Sequence, residues 1–228
     1  MIEVKRLSKA YGQREILHEV DLRLKKGRSL AITGKSGCGK STLLNLIGLL
    51  ERPDSGKILR SGEDIAVGSH RATKWIRYQL GYLFQNYALI EEDTVEENIR
   101  LAMKYRRDKA DQRELLQESI ERVGLAGLEK QKVYTLSGGE QQRVALARLF
   151  VKPCEYILAD EPTGNLDDEN SRRIMKLLLE FSKKGKALLV VTHDRRFLQY
   201  FDQAFLLEKG TLRELAGEKG KDGNPFHL

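Results

Sequence analysis

Residues 34–41 read Gly34-Lys35-Ser36-Gly37-Cys38-Gly39-Lys40-Ser41, which fits the pattern G-x-x-x-x-G-K-[ST] without a mismatch. The glycines let the backbone bend so that successive N–H groups point at phosphate oxygens. In this pattern the Lys40 ammonium reaches the β- and γ-phosphates, and the Ser41 hydroxyl ligates Mg²⁺. The run therefore predicts a phosphate loop, named here as residues 34–41, that binds a nucleoside triphosphate.

The flanking sequence favours this interpretation over a chance match in a glycine-rich turn. Residues 29–33 are a short apolar run that predicts a strand leading directly into Gly34, and residues 41–48 are typical of a helix. A strand before the loop and a helix after it are the structural context that a phosphate loop requires.

The rest of the chain predicts an α/β fold with a mostly parallel sheet and helices on both faces, because strands alternate with helices. Residues 2–7 predict a strand, residues 14–24 a half-buried antiparallel strand and residues 57–67 a small hairpin, while residues 204–207 and 211–215 predict edge strands. Buried strands are predicted at 80–84, 156–159 and 187–192, and helical segments at 95–128, 139–149 and 170–184.

Composition indicates a soluble globular chain of one large domain. The 228 residues are 40% hydrophobic and 32% charged, and no Pro-, Gly- or Ser-rich linker divides them. The apolar run at 43–50 is far shorter than the ~18 residues of a membrane span, and the N-terminus lacks the apolar core of a signal peptide. With two cysteines, Cys38 and Cys154, expected to be free thiols, these features predict a cytosolic protein.

The formal net charge of +7 is spread over separated basic pairs, which favours a solvated surface, with a membrane-adjacent role as the alternative.

Four key residues follow directly after predicted strands, where an open parallel sheet binds its ligand: Gly34, Gln85, Asp160 and His193. Asp160 ends a buried strand and is placed to hold a metal ion, directly or through water. Glu161 is expected on the opposite face, as a candidate to polarise an attacking water. The alternative, a plain acidic turn at 160–162, is disfavoured by the phosphate loop upstream.

Besides the two carboxylates, three side chains are candidates for ligand contact. His193 is positioned for the γ-phosphate, although a lone histidine is more often structural. The Gln85 amide could sense a metal ion or water. Tyr11 could stack on an adenine ring, or it could be an ordinary aromatic in the turn before Gly12.

A second run, Leu136-Ser137-Gly138-Gly139-Glu140-Gln141-Gln142-Arg143, is much rarer than the first and is called here the signature run. With it, the chain resembles the nucleotide-binding subunit of an ABC (ATP-binding cassette) transporter. The resemblance covers nearly the whole chain, with these matches in order: Tyr11, residues 34–42, Gln85, residues 137–141, Asp160, Glu161, Asn165-Leu166-Asp167 and His193.

The resemblance implies a P-loop NTPase (RecA-like) core with an N-terminal antiparallel β-subdomain and a helical signature subdomain. It implies a single ATP-binding domain over 1–228, with the core and β-subdomain at about 1–85 and 155–228. The helical subdomain would occupy about 86–154 and meet a permease.

The resemblance also implies roles for individual residues, with ATP and Mg²⁺ as ligands. The catalytic residues would be Glu161 as general base, His193 as switch residue, Lys40 and Gln85. The metal residues would be Ser41, Gln85 and Asp160. The nucleotide would contact Tyr11, Gly34, Lys35, Ser36, Gly37, Cys38, Gly39, Lys40, Ser41, Thr42, Ser137, Gly138, Gly139 and Gln141.

In this family the residues 137–139 would contact the γ-phosphate held by the other subunit, and Asp167 would lie at the dimer interface. The small residues and free N–H groups that open the helix near Glu140 make a second anion site. One chain cannot bring both anion sites to one phosphate. Two chains are therefore expected to enclose two ATP molecules in a homodimer. The resemblance further implies that this ATP-sandwich homodimer binds an integral membrane permease on the inner face of the cell membrane.

Within the family, the chain is similar to the MacB/LolD-like group of bacterial exporters at residues 54–56, 80–85 and 164–167. Residues 86–91 are similar to bacteriocin- and peptide-associated members. The resemblance implies export of a peptide, drug or lipoprotein. The alternatives are a soluble ABC ATPase acting on ribosomes or DNA, and a catalytically inactive regulatory cassette. No nucleic-acid partner is expected, because the chain has one cassette and no heptad run.

Overall fold

The computed structural model describes residues 1–106, 111–164 and 166–215; Asn165, one of the matched positions above, lies outside them. In chain order the elements are β1 (Ile2–Tyr11), β2 (Arg14–Leu24), β3 (Ser29–Thr33), α1 (Lys40–Ile47), β4 (Ser55–Arg60), β5 (Glu63–Asp64), α2 (His70–Tyr78), β6 (Leu80–Leu83), α3 (Val95–Met103), α4 (Gln112–Val123), α5 (Gly138–Val151), β7 (Tyr156–Asp160), α6 (Asp168–Lys183), β8 (Ala187–Val191), β9 (Gln203–Glu208) and β10 (Thr211–Leu215).

The larger sheet has six strands in the order β10-β9-β3-β8-β7-β6. All of its pairs are parallel except β9 with β10, so the predicted α/β fold with a mostly parallel sheet is confirmed. One detail of the prediction is wrong. Residues 204–207 were expected at an edge, but β9 lies between β3 and β10. Side-chain alternation reports which face of a strand is buried, and not whether backbone groups along both of its edges are paired, so the sequence could not reveal this position.

The smaller sheet is antiparallel, in the order β2-β1-β4-β5, and forms the predicted N-terminal β-subdomain. Its first strand reaches Tyr11, four residues beyond the predicted end. The pairing register with β4 shifts between Lys5 and Ser8, and Arg6 has a φ of 44°. This bulge interrupts the period-two alternation, which is why the sequence pattern shows only the first part of the strand.

The larger sheet separates two hydrophobic cores. Alternate residues of β7 show the division: Ile157 and Ala159 pack with α3, α4, α5 and α6, whereas Tyr156 and Leu158 pack with α1, α2 and the smaller sheet. The second face is therefore covered by two helices and the antiparallel sheet together. A strand buried on both faces is uniformly apolar, which explains the continuous apolar runs at β7 and β8.

The helical segment between β6 and β7 contains α3, α4 and α5. The predicted helical segment at 95–128 holds two helices: α3 ends at Met103, and α4 runs from Gln112 to Val123. Both helices bury apolar side chains against α5, and one straight helix could not bring both sets to it. The α3 start is set by a capping box in which Thr94 and Glu97 exchange hydrogen bonds. The predicted domain limits at 85–86 and 154–155 stay a prediction.

Within the described part of the chain, no helix has the length and apolar character needed to cross a membrane.

The bulge of β1 generates a test of packing. Gly56 has a φ of +85°, and a Cβ there would lie 2.2 Å from the Arg6 carbonyl oxygen. We expect Gly56→Ala to lower the free energy of unfolding by about 2–4 kcal/mol, since backbone strain and overpacking add. Gly62→Ala is the matched control, with a φ of +87° and no described atom within 4 Å of its Cβ. It should cost about 1 kcal/mol, the backbone term alone. Equal losses in urea unfolding would contradict the packing argument.

Candidate functional site

The phosphate loop connects β3 to α1, as predicted. Gly39 is the N-cap of α1 at a φ of 104° and has no side chain to cap the helix. The first N–H groups of a helix have no partner within it. The N-terminus of α1 is therefore left available to an anion, with the helix dipole adding positive potential.

The glycines of this loop serve different purposes. Gly37 and Gly39 have positive φ angles, 73° and 104°, which other residues seldom adopt. Gly34 has no positive φ, but a Cβ there would lie 2.5 Å from the Leu207 carbonyl oxygen and 2.7 Å from the Cys38 Sγ. Gly34 is thus required by the close approach of β9, which the sequence pattern does not reveal.

Lys40 is buried, with 5% of its surface exposed. Its Nζ donates to the carbonyl oxygens of Gly34 at 3.0 Å and Lys35 at 3.2 Å. It lies 3.4 Å from Glu161 Oε1. A buried ammonium needs such partners because desolvation disfavours an unpaired charge.

Asp160 ends β7 and faces the phosphate loop. Its Oδ1 accepts a hydrogen bond of 3.0 Å from the Ser41 hydroxyl. Burial raises the pKa of the Asp160 carboxyl, and the Glu161 charge adds to this, against the opposing effects of Ser41 and Lys40.

Glu161 does not lie on the opposite face from Asp160, so that expectation is wrong. Asp160 contacts Ser41 and Glu161 contacts Lys40, two adjacent residues of α1. The strand alternation ends at Asp160, and Glu161 has a φ of 44°. Such a conformation in a residue other than glycine is strained, and the N–H bond of 2.9 Å to the Val191 carbonyl helps to hold it.

His193 completes this group from the end of β8. Its Nδ1 lies 2.8 Å from Glu161 Oε2, which also accepts the His193 N–H at 3.1 Å. Because β8 lies between β3 and β7, the sheet order brings the phosphate loop, Asp160, Glu161 and His193 together.

The donor set around Asp160 fits Mg²⁺. The Ser41 hydroxyl and the Asp160 carboxylate are oxygen ligands, which a hard cation prefers. The described residues contain no cluster of three or more His, Cys, Asp or Glu that could hold a metal. Few protein ligands are normal for Mg²⁺, which is usually bound by one or two carboxylates together with substrate phosphates and water.

Tyr11 lies at the end of β1, half exposed, where its ring is accessible. Its hydroxyl donates to Glu51 Oε1 at 2.6 Å, and Lys9 Nζ lies 5.4 Å from the ring centroid. The bond to Glu51 raises the pKa of the Tyr11 hydroxyl, while a contact with Thr42 opposes this. The contact with Thr42 places Tyr11 beside the phosphate loop.

Gln85 is exposed in the turn after β6, two residues beyond the strand end. Its described contacts do not join it to Asp160 or Ser41. Its place at the metal and in catalysis stays a prediction.

Ser137 is exposed at the N-cap of α5, within a capping box. The Ser137 hydroxyl and N–H donate to Glu140 Oε2 at 2.6 and 2.8 Å. These bonds lower the pKa of Glu140. Among the described residues, no hydrogen bond or ion pair joins residues 137–141 to residues 34–42. Gln141 donates to the carbonyls of Val133 and Leu136, so its described role is to hold the loop before α5.

Sequence reasoning missed three anchoring side chains. Gln142 is buried and donates to the Pro162 carbonyl, which ties α5 to the loop after Glu161. Arg143 donates to Asn170 Oδ1 at 3.1 Å, which ties α5 to α6. Tyr82 donates to Asn45 Oδ1 at 2.7 Å and ties β6 to α1. The one sequence signal for these residues is that each is a polar side chain within a segment that otherwise predicts apolar packing.

A parallel-sheet core with a phosphate loop, a buried lysine and two carboxylates at the carboxyl ends of its strands defines a nucleotide-hydrolysing enzyme of the phosphate-loop class. The family model described as "ABC transporter" matches residues 17–164, more than half of the chain. The chain belongs to this family, and it is an ABC-type ATPase.

Two curated relatives and one solved structure illustrate the likeness. The "Lipoprotein-releasing system ATP-binding protein LolD" of Alcanivorax borkumensis is 41% identical, over 94% of this chain and 97% of LolD. "Macrolide export ATP-binding/permease protein MacB 2" of Aeromonas hydrophila is 36% identical, over 96% of this chain but 35% of its own length. The "Dimeric structure of a post-hydrolysis state of the ATP-binding cassette MJ0796 bound to ADP and Pi" is 32% identical, with a TM-score of 0.85 over 95% of this chain and 100% of that one.

These matches confirm the predicted family, the fold and the resemblance to the MacB/LolD-like group. They do not test the roles of individual residues.

The raised pKa of the buried Asp160 predicts how the stability of the protein depends on pH. Because its folded-state pKa lies above the unfolded value, the group favours folding only while protonated, and this contribution is lost as pH rises through the folded pKa. We expect Asp160→Asn to raise the Tm of the metal- and nucleotide-free protein at pH 8, because the variant stays neutral and keeps an acceptor for Ser41.

Asp202→Asn is the control with the opposite sign. Burial opposes ionisation of Asp202, but hydrogen bonds from Ser29 and Arg28 outweigh it and lower its pKa. This variant should lower the Tm at pH 8. A lower Tm for both variants in thermal unfolding with EDTA would contradict the desolvation argument.

Proposed function

We propose that this ATP-binding subunit of an ABC transporter powers export of a peptide, drug or lipoprotein by a separate permease, through ATP-driven homodimerisation. The single observation that carries the proposal is that its two anion-binding helix ends are separate. The start of α1 lies beside Asp160, Glu161 and His193, whereas the start of α5 is exposed and is not bonded to them.

A second copy would supply the missing half of each site. The exposed Ser137 of one chain would face the phosphate loop of the other, so two chains would enclose two ATP molecules. A phosphate oxygen would then compete with the Glu140 carboxylate for the Ser137 hydroxyl. The dimeric MJ0796 cassette supports this arrangement, since it is similar over nearly the whole chain.

Within each site the residues have distinct proposed roles. The phosphate-loop N–H groups and Lys40 bind the phosphates, and Tyr11 stacks on the adenine. Ser41 and Asp160 would hold Mg²⁺, which neutralises phosphate charge when bound. Glu161 accepts a proton from the attacking water, and His193 positions that carboxylate through the bonds at 2.8 and 3.1 Å.

Export and the separate permease rest on likeness. LolD is named as an ATP-binding protein of a lipoprotein-releasing system, and this chain spans nearly all of it. MacB 2 is named as a macrolide export ATP-binding/permease protein, and this chain matches 35% of its length. We propose that the chain binds its permease through the Gln85 turn and the helical segment, on the cytoplasmic side of the membrane.

The general base is tested by Glu161→Gln. Loss of the carboxylate should lower the Mg-ATP turnover number by about 10²-fold or more, while ATP binding persists and a closed dimer accumulates. Phosphate release and size-exclusion chromatography measure the two effects. Glu155→Gln is a control, because Glu155 pairs with Lys26 on the surface. Normal turnover by Glu161→Gln would remove it from the mechanism.

The shared site is tested by mixing inactive variants. Lys40→Ala chains damage the phosphate-loop half, and Ser137→Arg chains damage the signature half. Each should be inactive alone. Their mixture should regain hydrolysis, because each mixed dimer contains one site with both halves intact.

A mixture of Lys40→Ala with Glu161→Gln is the control, and it should stay inactive. Lys40 and Glu161 lie 3.4 Å apart in the same half, so neither site of that mixed dimer is intact. Equal recovery in both mixtures, or none in the first, would contradict a site shared between chains.

A further inference from the structure

A charged fork follows His193 directly. The guanidinium of Arg196 donates to Asp194 through two of its three nitrogens, with Nε 2.9 Å from Oδ1 and Nη2 2.6 Å from Oδ2. Asp194 Oδ1 also accepts the Arg196 N–H at 3.0 Å and so caps the short 3-10 helix Arg195–Tyr200. This fork makes Arg196 a rigid part of the loop that carries His193.

The third nitrogen of the Arg196 guanidinium contacts another element. Its Nη1 donates to Asp168 Oδ1, in the first turn of α6. Asp168 follows Asp167, which caps α6 by accepting the Asn170 N–H at 2.9 Å. Arg196 therefore connects the His193 loop to the residue next to Asp167, across 28 positions of sequence.

The start of α6 is held from its other side by the signature helix. Arg143 of α5 donates to Asn170 Oδ1 at 3.1 Å, and the Asn170 amide donates to Asp167 Oδ2 at 2.6 Å. The segment with Asp167 thus lies between two guanidinium groups. One belongs to Arg143 in the helix that begins at Ser137, and the other belongs to Arg196 in the loop that follows His193.

We propose that Arg196 is a positioning residue that transmits engagement of a second copy at Asp167 to His193, and so couples dimer closure to the alignment of Glu161. The inference rests on the proposed function, because it requires the dimer. Docking at the start of α6 acts on Asp168, Arg196 moves with Asp168, and the Asp194 fork moves with Arg196. His193 is the preceding residue, and its Nδ1 contacts Glu161 Oε2.

The same carboxylate supplies an internal control. Arg172 also pairs with Asp168, with Nη2 2.9 Å from Oδ2, but both residues belong to α6. The pair Arg172–Asp168 is thus a local contact within one helix, whereas Arg196–Asp168 joins two elements. Both arginines are well exposed, at 66% and 61% of their side-chain surface, so their ion pairs have similar solvent screening.

The test is ATP hydrolysis as a function of ATP concentration by the full chain and four variants: Arg196→Gln, Asp168→Asn, their double variant and Arg172→Gln. We expect Arg196→Gln and Asp168→Asn each to lower kcat by about three- to fivefold, the upper range for an exposed ion pair. Each should also lower the Hill coefficient for ATP. The double variant should match the single variants, since the two residues act as one unit. Arg172→Gln should match the unchanged chain.

Four results would overturn the inference. The first three are unchanged kcat and Hill coefficient in Arg196→Gln, losses that multiply in the double variant, and an equal loss in Arg172→Gln. The fourth is a lower Tm with unchanged cooperativity in Arg196→Gln, which would show a purely structural contact. If the unchanged chain hydrolyses Mg-ATP and Glu161→Gln does not, the proposed function stands whatever Arg196→Gln shows. Absence of hydrolysis by the unchanged chain would overturn both.

Discussion

The site depends on the pairing of the buried Lys40 ammonium with its oxygen acceptors. A cation removed from water must be paired, and here its acceptors come from the phosphate loop and from Glu161. Removing one partner of such a buried charge typically costs about 3–5 kcal/mol. The pairing thereby fixes α1, the loop and the end of β7 relative to one another. His193 joins the same group because β8 lies between β3 and β7.

The α5 helix connects this site to neighbouring elements of the fold. Gln142 holds the loop after Glu161, and Arg143 holds the start of α6. Ser137, the N-cap of α5, and Gly138, its first residue, are both exposed. A helix fixed along its length but open at its N-terminus is suited to receive an anion from another molecule. That geometry is what the proposed site shared between two chains requires.

Departures from the sequence-based expectations have local causes. Strand alternation predicted opposite faces for Asp160 and Glu161, but the strand ends between them and Glu161 adopts a positive φ. The bulge at Arg6 interrupts the alternation of β1, so the sequence pattern predicted a strand only over 2–7 and left Tyr11 outside it. Charge and helix propensity at 95–128 predicted a helical segment but did not show where it divides, which packing on α5 decides. In each case a contact with a distant element overrode a regular local pattern.

The sequence by itself determined the phosphate loop, the signature run, the apolar strands and the α/β class, because these depend on residue types at fixed spacing. It also predicted which polar residues end those strands. Only the tertiary structure decided which residues meet at the ends of the strands. Lys40 pairs with Glu161, Gly34 leaves room for the close approach of β9, and Arg196 donates to Asp168. Those contacts depend on strand order and on close approach between distant segments, and neither is encoded in the periodicity of any single element.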